Sequence, residues 1–329
     1  MPEARPRWRK KRYILGAVVA LLAAFAFANN TQLFAEVGGE SPKLLAHRGV
    51  AQTLSTSGVE NDTCTAERID PPVHGFLENT IAGMRAAFDS GADLVELDVH
   101  ITSDGQFAVF HDWEVDCRTD GSGTTRDFTM AELKALDIGY GYTADGGRTF
   151  PFRGRGVGLM PSLDEVLSAF PHEPLLIHVK SEDAAEGAAL ARRLSELDVA
   201  RLANIAVYGG DAPVRAVRDR LPQVRAASKG SMADCLLRYE AIGWTGIVPD
   251  ACANTELHIP ESYAPWLWAW PSKFVSRMES AGSRVVLVAG SGGFSEGFDT
   301  RESLARIPDG FTGYVWTNRV AEVAPLIDR

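Results

Sequence analysis

The stretch Leu94–Asp112 reads LVELDVHITSDGQFAVFHD. In its first half, aliphatic residues alternate with Glu96 and Asp98, a period of two that marks a β-strand and puts both carboxylates on one face. The SDGQ segment is a turn signal, and QFAVFHD returns as a hairpin partner ending in His111 and Asp112. Two carboxylates on one inward face are costly to bury unless something neutralises them. The stretch therefore asks for a fold in which charged strand ends converge on one polar rim.

Similar apolar runs recur along the chain. KLLAHRG, PLLIHVK, NIAVYGG, VRAAS, GIVPD, RVVLVAG and GYVWT join LVELDVH and QFAVFHD as nine candidate strands, of which GIVPD is the weakest. Several are near-continuous aliphatic runs, as parallel strands covered on both faces require. Between them lie amphipathic stretches. NTIAGMRAAFDSG opens on Asn79 and Thr80 as caps and closes at Gly91; SLDEVLSAF opens on Ser162 with Glu165 three residues on, a capping box. DAAEGAALARRLSEL and SKFVSRMESAG repeat the theme. This alternation predicts an α/β fold, a (β/α)8 TIM barrel in a single domain, with a doubly wound sheet as the alternative. No G-x-G-x-x-G follows the first strand, which weakens the dinucleotide-binding form of that alternative. Two long polar loops, Val50–Phe76 and Asp116–Leu159, exceed tight connections, and loops of that length are either functional or disordered.

The 329 residues suffice for one large barrel, and 45% hydrophobic with 23% charged residues is ordinary globular usage. A net charge of −10 argues against nucleic acid as a partner. Residues 1–12 form a basic run, 13–28 an apolar segment read as signal peptide or membrane anchor, 29–42 a linker, and 43–329 the barrel. Ala26 and Ala28 stand in the small-residue spacing of a cleavage site. The apolar core of fifteen residues is shorter than the ~20 of a spanning helix, and both readings stay open. Either one exports the bulk of the chain to a periplasmic or extracellular space. In that setting Cys64, Cys117, Cys235 and Cys252 are expected to form two disulfides. Three pairings are possible, and locality favours Cys64–Cys117 with Cys235–Cys252.

Strand ends carry the chemistry. His47 and Arg48 close the first strand, Glu96 and Asp98 line the second, His111 and Asp112 end the hairpin, and His178 and Lys180 end PLLIHVK. In a β/α barrel these positions share one rim. A divalent cation with hard oxygen ligands would neutralise the acids, and two histidines supply a base and an acid near neutral pH.

The ordered set AHRG, ENT, GAD-VELDV and T-DG---V-HD, spanning Leu44 to Lys180, resembles the glycerophosphodiester phosphodiesterase family. GYVWTNRVAEVAPLID resembles the family's closing strand and helix, with Asn318 where Asp is usual. The resemblance implies a TIM barrel and metal-dependent phosphodiester hydrolysis to glycerol 3-phosphate and an alcohol. It implies His47 and His111 as catalytic residues, Glu96 and Asp98 as metal ligands, Arg48 and Lys180 against the phosphate, and Glu78 as an organising acid. His47 is the expected base and His111 the acid.

The family's third metal ligand is a Glu where this chain has His178. Imidazole is softer than carboxylate, so a borderline metal competes with Mg²⁺ or Ca²⁺, or water takes the place. The penultimate strand lacks the family's Trp-Thr pair, which puts the alcohol pocket in question. A phospholipase D-like enzyme acting on lysolipids at a membrane, suggested by the aromatic stretch YAPWLWAWP, and a phosphodiester-binding barrel without catalysis are the alternatives. Substrates are thus small glycerophosphodiesters or lysolipids, and the oligomeric state is open.

Overall fold

The computed structural model describes residues 7–34, 41–55, 58–60, 63–293 and 296–327. Parts of the basic run 1–12, of the linker 29–42 and of the loop 50–76 lie outside the described residues.

The strands are β1 (Lys43–Ala46), β2 (Leu94–Ile101), β3 (Phe107–Val109), β4 (Leu175–Val179), β5 (Ile205–Gly209), β6 (Arg225–Ser228), β7 (Glu256–Pro260), β8 (Arg284–Val288) and β9 (Tyr314–Thr317). Eight of them run parallel in the order β6-β5-β4-β2-β1-β9-β8-β7, while β3 pairs antiparallel with β2 off this path. The two outer strands approach one another. Ala226 N–H donates to Asn254 O at 3.2 Å, and Thr255 Oγ1 donates to Ala226 O at 3.3 Å. The result is a nearly closed (β/α)8 barrel.

Two of the nine expected strands do not belong to the barrel wall. QFAVFHD is the hairpin arm β3, and GIVPD is a non-strand connection leading into the short helical turn Asp250–Cys252. The wall is completed instead by β7, ELHIP, which reads as polar. Glu256 is buried against Arg284 (Nη1–Oε1 3.4 Å) and His258 faces the bore, so polar residues that are paired or functional disguise a buried strand.

Period-two alternation sorts the core into two layers. Leu45, Leu94, Leu176, Ala206, Val286 and Trp316 pack inside the bore, whereas Val95, Leu97, Ile177 and Val207 face the surrounding helices. Caps set the helix starts. Thr80 accepts from Gly83 N–H at the head of Ile81–Asp89, and Ser162 with Glu165 forms a complete capping box before Leu163–Ala169.

The two long loops fold together into a cap with its own small core, including Ile69, Leu77, Phe110, Leu133, Tyr142 and Phe152. A disulfide between Cys64 and Cys117 joins them, and a second links Cys235 to Cys252. The N-terminal helix Arg7–Asn30 runs 24 residues, about 36 Å at ~1.5 Å per residue. Its stretch Lys11–Asn30 has a mean hydropathy of 1.8 and is exposed except at its half-buried C-terminal end.

Candidate active site

The C-terminal end of β1 turns sharply. Arg48 takes φ 57° and Gly49 φ 78°, so the backbone bends back toward the helix Ile81–Asp89. A Cβ on Gly49 would stand 2.8 Å from Gly83 C and Met84 N, which restricts the position to glycine. The turn aims Arg48 into the bore, where it is buried among acids. Its backbone N–H donates to Glu96 Oε2 at 3.1 Å and its Nη1 to Glu78 Oε1 at 3.1 Å. Its Nε lies 3.2 Å from Asp98 Oδ2, out of line for a hydrogen bond.

Glu96 and Asp98 lie fully buried on the inner face of β2. Asp98 is laterally paired with His178 on β4, and His178 with Tyr208 on β5. Tyr208 Oη donates to Glu96 Oε1 at 2.7 Å, and its ring stacks on His178 at 4.1 Å. Asn79, itself at φ 56°, clamps Asp98 from above. It donates through Nδ2 at 3.0 Å and accepts the Asp98 backbone N–H at 3.1 Å. His178 Nδ1 lies 2.9 Å from Asp98 Oδ1, and Lys180 Nζ lies 3.6 Å from the same oxygen.

Electrostatics divides the two acids. Burial works against both charges. At Glu96 burial and the neighbouring Asp98 prevail, pushing its carboxyl well above the usual range. At Asp98 burial is outweighed by Arg48 and then Lys180, which hold it well below that range. A single cation between them would let both ionise.

On the opposite side, β3 delivers His111. Its Nδ1–H donates to Asp112 Oδ1 at 2.6 Å. Burial works against the Asp112 charge, but Arg118, donating Nε to the other carboxylate oxygen at 2.8 Å, holds the carboxyl below the usual carboxylate range. Arg118 is buried and also reaches Tyr142 Oη (2.7 Å), Thr65 Oγ1 (2.6 Å) and Glu78 Oε2 (3.2 Å). Thr65 and Arg118 each follow a cysteine of the Cys64–Cys117 bridge. The disulfide therefore fixes the guanidinium that orients the His111–Asp112 pair and, through Glu78, Arg48.

His47 is oriented by a different pair. Asn318 donates Nδ2 to Asp299 Oδ2 at 2.7 Å, which turns its Oδ1 toward His47 Nδ1–H, also at 2.7 Å. That hydrogen bond fixes the tautomer and leaves the His47 Nε2 lone pair facing the bore, 3.9 Å from Glu96 Oε2. Burial first, then Arg48, lowers the proton affinity of both His47 and His111. A cavity of about 290 Å³ opens beside His47, lined by Arg48, Gln52, Glu78, Asn318 and Arg319. A larger one of about 980 Å³ opens beside His111, Trp113, His178 and Lys180.

All the rim residues singled out from the sequence thus meet in one constellation. Sequence reading missed Arg118, Tyr208, Asp299 and His258, read Asn79 only as a cap and gave Asn318 no role. Tyr208 was accessible through its inward position in NIAVYGG, and Arg118 through its place after Cys117. Asp299 carries no local signal. Arg118→Met is expected to lower kcat about 10- to 100-fold with KM little changed, because it unfixes Asp112 without touching substrate. Steady-state kinetics beside a thermal melt checks this; a loss confined to stability would count against the positioning role.

Glu96, Asp98 and His178 offer ligand atoms within 4.8 Å of one another. Two carboxylates and an imidazole suit a divalent cation, and the suppressed ionisation of Glu96 is what a missing positive charge produces. The residues present fit such an ion.

A sequence profile of the Glycerophosphoryl diester phosphodiesterase family matches residues 47–212. A glycerophosphodiester phosphodiesterase of Caldanaerobacter subterraneus is 38% identical over 103 residues, 31% of this chain and 39% of that protein. One of Bacillus subtilis is 37% identical over 114 residues, 33% of this chain and 38% of that protein. The chain's matched stretch thus spans about two fifths of the length of each relative. Among solved structures, a glycerophosphodiester phosphodiesterase of Agrobacterium tumefaciens superposes with a TM-score of 0.53 at 22% identity, covering 86% of this chain and 99% of that one. A glycerophosphoryl diester phosphodiesterase domain of a Mycobacterium tuberculosis protein gives 0.61 at 18%, covering 87% and 99%. At these identities the structural likeness is one of fold. The family profile spans half of the chain and contains His47, Arg48, Glu96, Asp98, His111, His178 and Lys180, and the chain belongs to the glycerophosphoryl diester phosphodiesterase family.

Proposed function

We propose that the chain is an exported, divalent-metal-assisted phosphodiesterase that cleaves glycerophosphodiesters into glycerol 3-phosphate and an alcohol. The observation that carries this reading is a pair of separately oriented histidines, His47 and His111, flanking the Glu96–Asp98–His178 donor set with Arg48 and Lys180 alongside. Glu96, Asp98 and His178 would hold the cation, which when bound neutralises charge on the non-bridging phosphate oxygens. Arg48 and Lys180 add to that neutralisation, and Glu78 and Asp98 hold Arg48 in place.

In this reading His47 Nε2 takes the proton of a substrate glycerol hydroxyl as its oxygen bonds to phosphorus. His111 gives a proton to the departing alkoxide as the P–O bond breaks. The cyclic phosphate so formed is opened by water, with the two histidines exchanging roles. The cavity sizes support the assignment: the small one beside His47 suits glycerol, and the large one beside His111 suits a variable alcohol. An anionic phosphate bound beside His111 raises its proton affinity and opposes the lowering by burial.

A second reading, cleavage of lysolipids at a membrane, is favoured by the exposed apolar helix and the exposed Trp266. The test offers the full chain glycerophosphocholine and lysophosphatidylcholine with Mg²⁺, Ca²⁺, Mn²⁺ or Zn²⁺. Turnover of the first that chelation abolishes supports the main reading. Preference for the second moves the substrate to the lipid, and turnover of neither leaves only a binding barrel.

His178→Glu is expected to shift the metal preference toward Mg²⁺ or Ca²⁺, because a third hard oxygen and a third negative charge replace a softer neutral donor. The ratio of activity with Mg²⁺ to that with Mn²⁺ measures this. An unchanged ratio removes His178 from the ligand set.

A further inference from the structure

We propose that the apolar N-terminal helix is retained and that the barrel rests on the lipid surface through the face made by Leu237, Ile242, Ile247, Trp266 and Trp268. The apolar run 13–28 of the helix is about 24 Å long at ~1.5 Å per residue, short of the ~30 Å hydrocarbon core, a mismatch that flanking basic side chains reaching to the headgroups can absorb. From Lys11 to Phe25 the helix is exposed, and only its C-terminal end meets the barrel. That end, in contrast, is locked down.

Asn29 and Asn30 donate their Nδ2 groups to Trp244 O at 3.0 and 2.8 Å. Gln32 Nε2 reaches Ala269 O at 2.7 Å and Trp270 O at 3.0 Å. From the barrel side, Arg277 donates Nη2 to Asn29 O at 3.1 Å and Nη1 to Asn30 Oδ1 at 3.1 Å, and Lys273 Nζ lies 3.3 Å from Asn29 O. These cations satisfy terminal carbonyls and oppose the negative end of the helix dipole. Phe25 meets the Trp244 ring edge-on at 6.3 Å. These contacts bind the helix end directly to the barrel, so the docked face is carried to the membrane surface along with it.

The exposed apolar residues adjoin this lock. Arg277 Nη1 also donates to Tyr239 Oη at 2.9 Å, Tyr239 Oη donates to Trp268 O at 3.0 Å, and Trp268 Nε1 donates to Glu240 O at 2.9 Å. Leu237 is 71% exposed, Ile247 59% and Trp266 78%, large apolar side chains in water on the segments 237–247 and 266–268 that carry Tyr239, Trp244 and Trp268 of the lock. Tryptophan with its body toward lipid and its N–H bonded to protein is the residue type that settles at a bilayer interface. The same lock bears on cleavage. Ala26 and Ala28 lie inside the helix, and the residues just after them are engaged by the barrel, whereas proteases cut accessible segments that open easily.

The test uses the full chain, recovered from exporting cells and reconstituted into phosphatidylcholine–phosphatidylglycerol vesicles with brominated acyl chains. Intact mass is expected to include the helix. Brominated lipid is expected to quench the native fluorescence, with a clear loss of the quenched component in Trp266→Phe and none in Trp113→Phe, whose exposed ring lies by the catalytic cavity. Protein beginning at Asn29 and free of membranes would overturn the proposal. So would equal quenching in native and Trp266→Phe protein, including the case in which cross-linking shows a second protein copy on that face. Neither readout involves turnover, so the result stands apart from the catalytic reading.

Discussion

His111→Ala is expected to lower turnover of glycerophosphocholine about 10²- to 10⁴-fold, the range for loss of a general acid, with a nearly unchanged unfolding midpoint. The fold tolerates the change because Asp112, deprived of its histidine partner, keeps the Arg118 hydrogen bond at 2.8 Å. No buried charge is left alone. The catalytic loss is large because the choline alkoxide is a poor leaving group that needs a proton as the P–O bond breaks. This supplies a sharper test than the loss itself. On a glycerophosphodiester with a p-nitrophenyl leaving group, which departs without protonation, His111→Ala should recover most of its activity. His47→Ala should stay inactive on both substrates, because the attacking hydroxyl still needs a base. Equal losses of the two variants on both substrates would reject the assignment of roles. The double variant is expected to lose little more than the worse single one, since the two histidines act on one transition state.

The parts of this site that a sequence exposes are those whose chemistry conflicts with their local pattern. Glu96 and Asp98 stand out because acids do not belong on a strand as apolar as LVELDVH, and His178 because it interrupts LLIHV in the same way. β7 stayed hidden for the mirror reason. Its Glu256, His258 and Pro260 make ELHIP look like a loop, and only the partner Arg284, 28 residues away, makes the buried Glu256 acceptable. Arg118 and Asp299 were out of reach because their meaning is tertiary. Arg118, next to the disulfide, orders the His111–Asp112 pair just after β3, and Asp299 turns an amide 19 residues away. The Asp-to-Asn departure at Asn318 acquires its sense only there: with Asp299 behind it, the neutral amide still presents an acceptor to His47. The cap illustrates a further limit. Its loops read as long polar stretches, yet a few apolar residues in each, such as Ala66 and Ile69 in the first and Leu133 and Phe152 in the second, suffice for a shared core once Cys64–Cys117 holds them together.

Asp98→Asn is expected to abolish metal binding and to lower activity about 10²- to 10³-fold, the order of the loss from removing a charge-stabilising site component. It should also destabilise the fold by about 3–5 kcal/mol, the cost of leaving buried charge without its partner. Asp98 is the common counterion of Arg48, 3.2 Å away, and Lys180, 3.6 Å away, and it bonds His178 Nδ1 at 2.9 Å. With a neutral amide in its place, Lys180 loses its closest acid and Arg48 keeps only Glu78 and Glu96, so the net positive charge in the bore rises and repels a divalent ion as well. Glu96→Gln should behave differently although it removes a carboxylate one turn of the pleat away. Without a cation, Glu96 is already driven toward its neutral form by burial and by Asp98, so glutamine resembles the state it occupies. The single amide oxygen can still accept the Arg48 backbone N–H, and the amide NH2 can donate to Tyr208 Oη, whose hydroxyl turns to accept it, as the neutral carboxyl would require. Glu96→Gln is therefore expected to lose metal affinity while keeping, or slightly raising, the unfolding midpoint measured in chelator. Calorimetric titration with Mn²⁺ and thermal melts in chelator, run on both variants, separate the two effects. If both variants melt alike, the unequal division of charge between the two acids is wrong; if either binds Mn²⁺ as tightly as the native chain, that residue is no ligand.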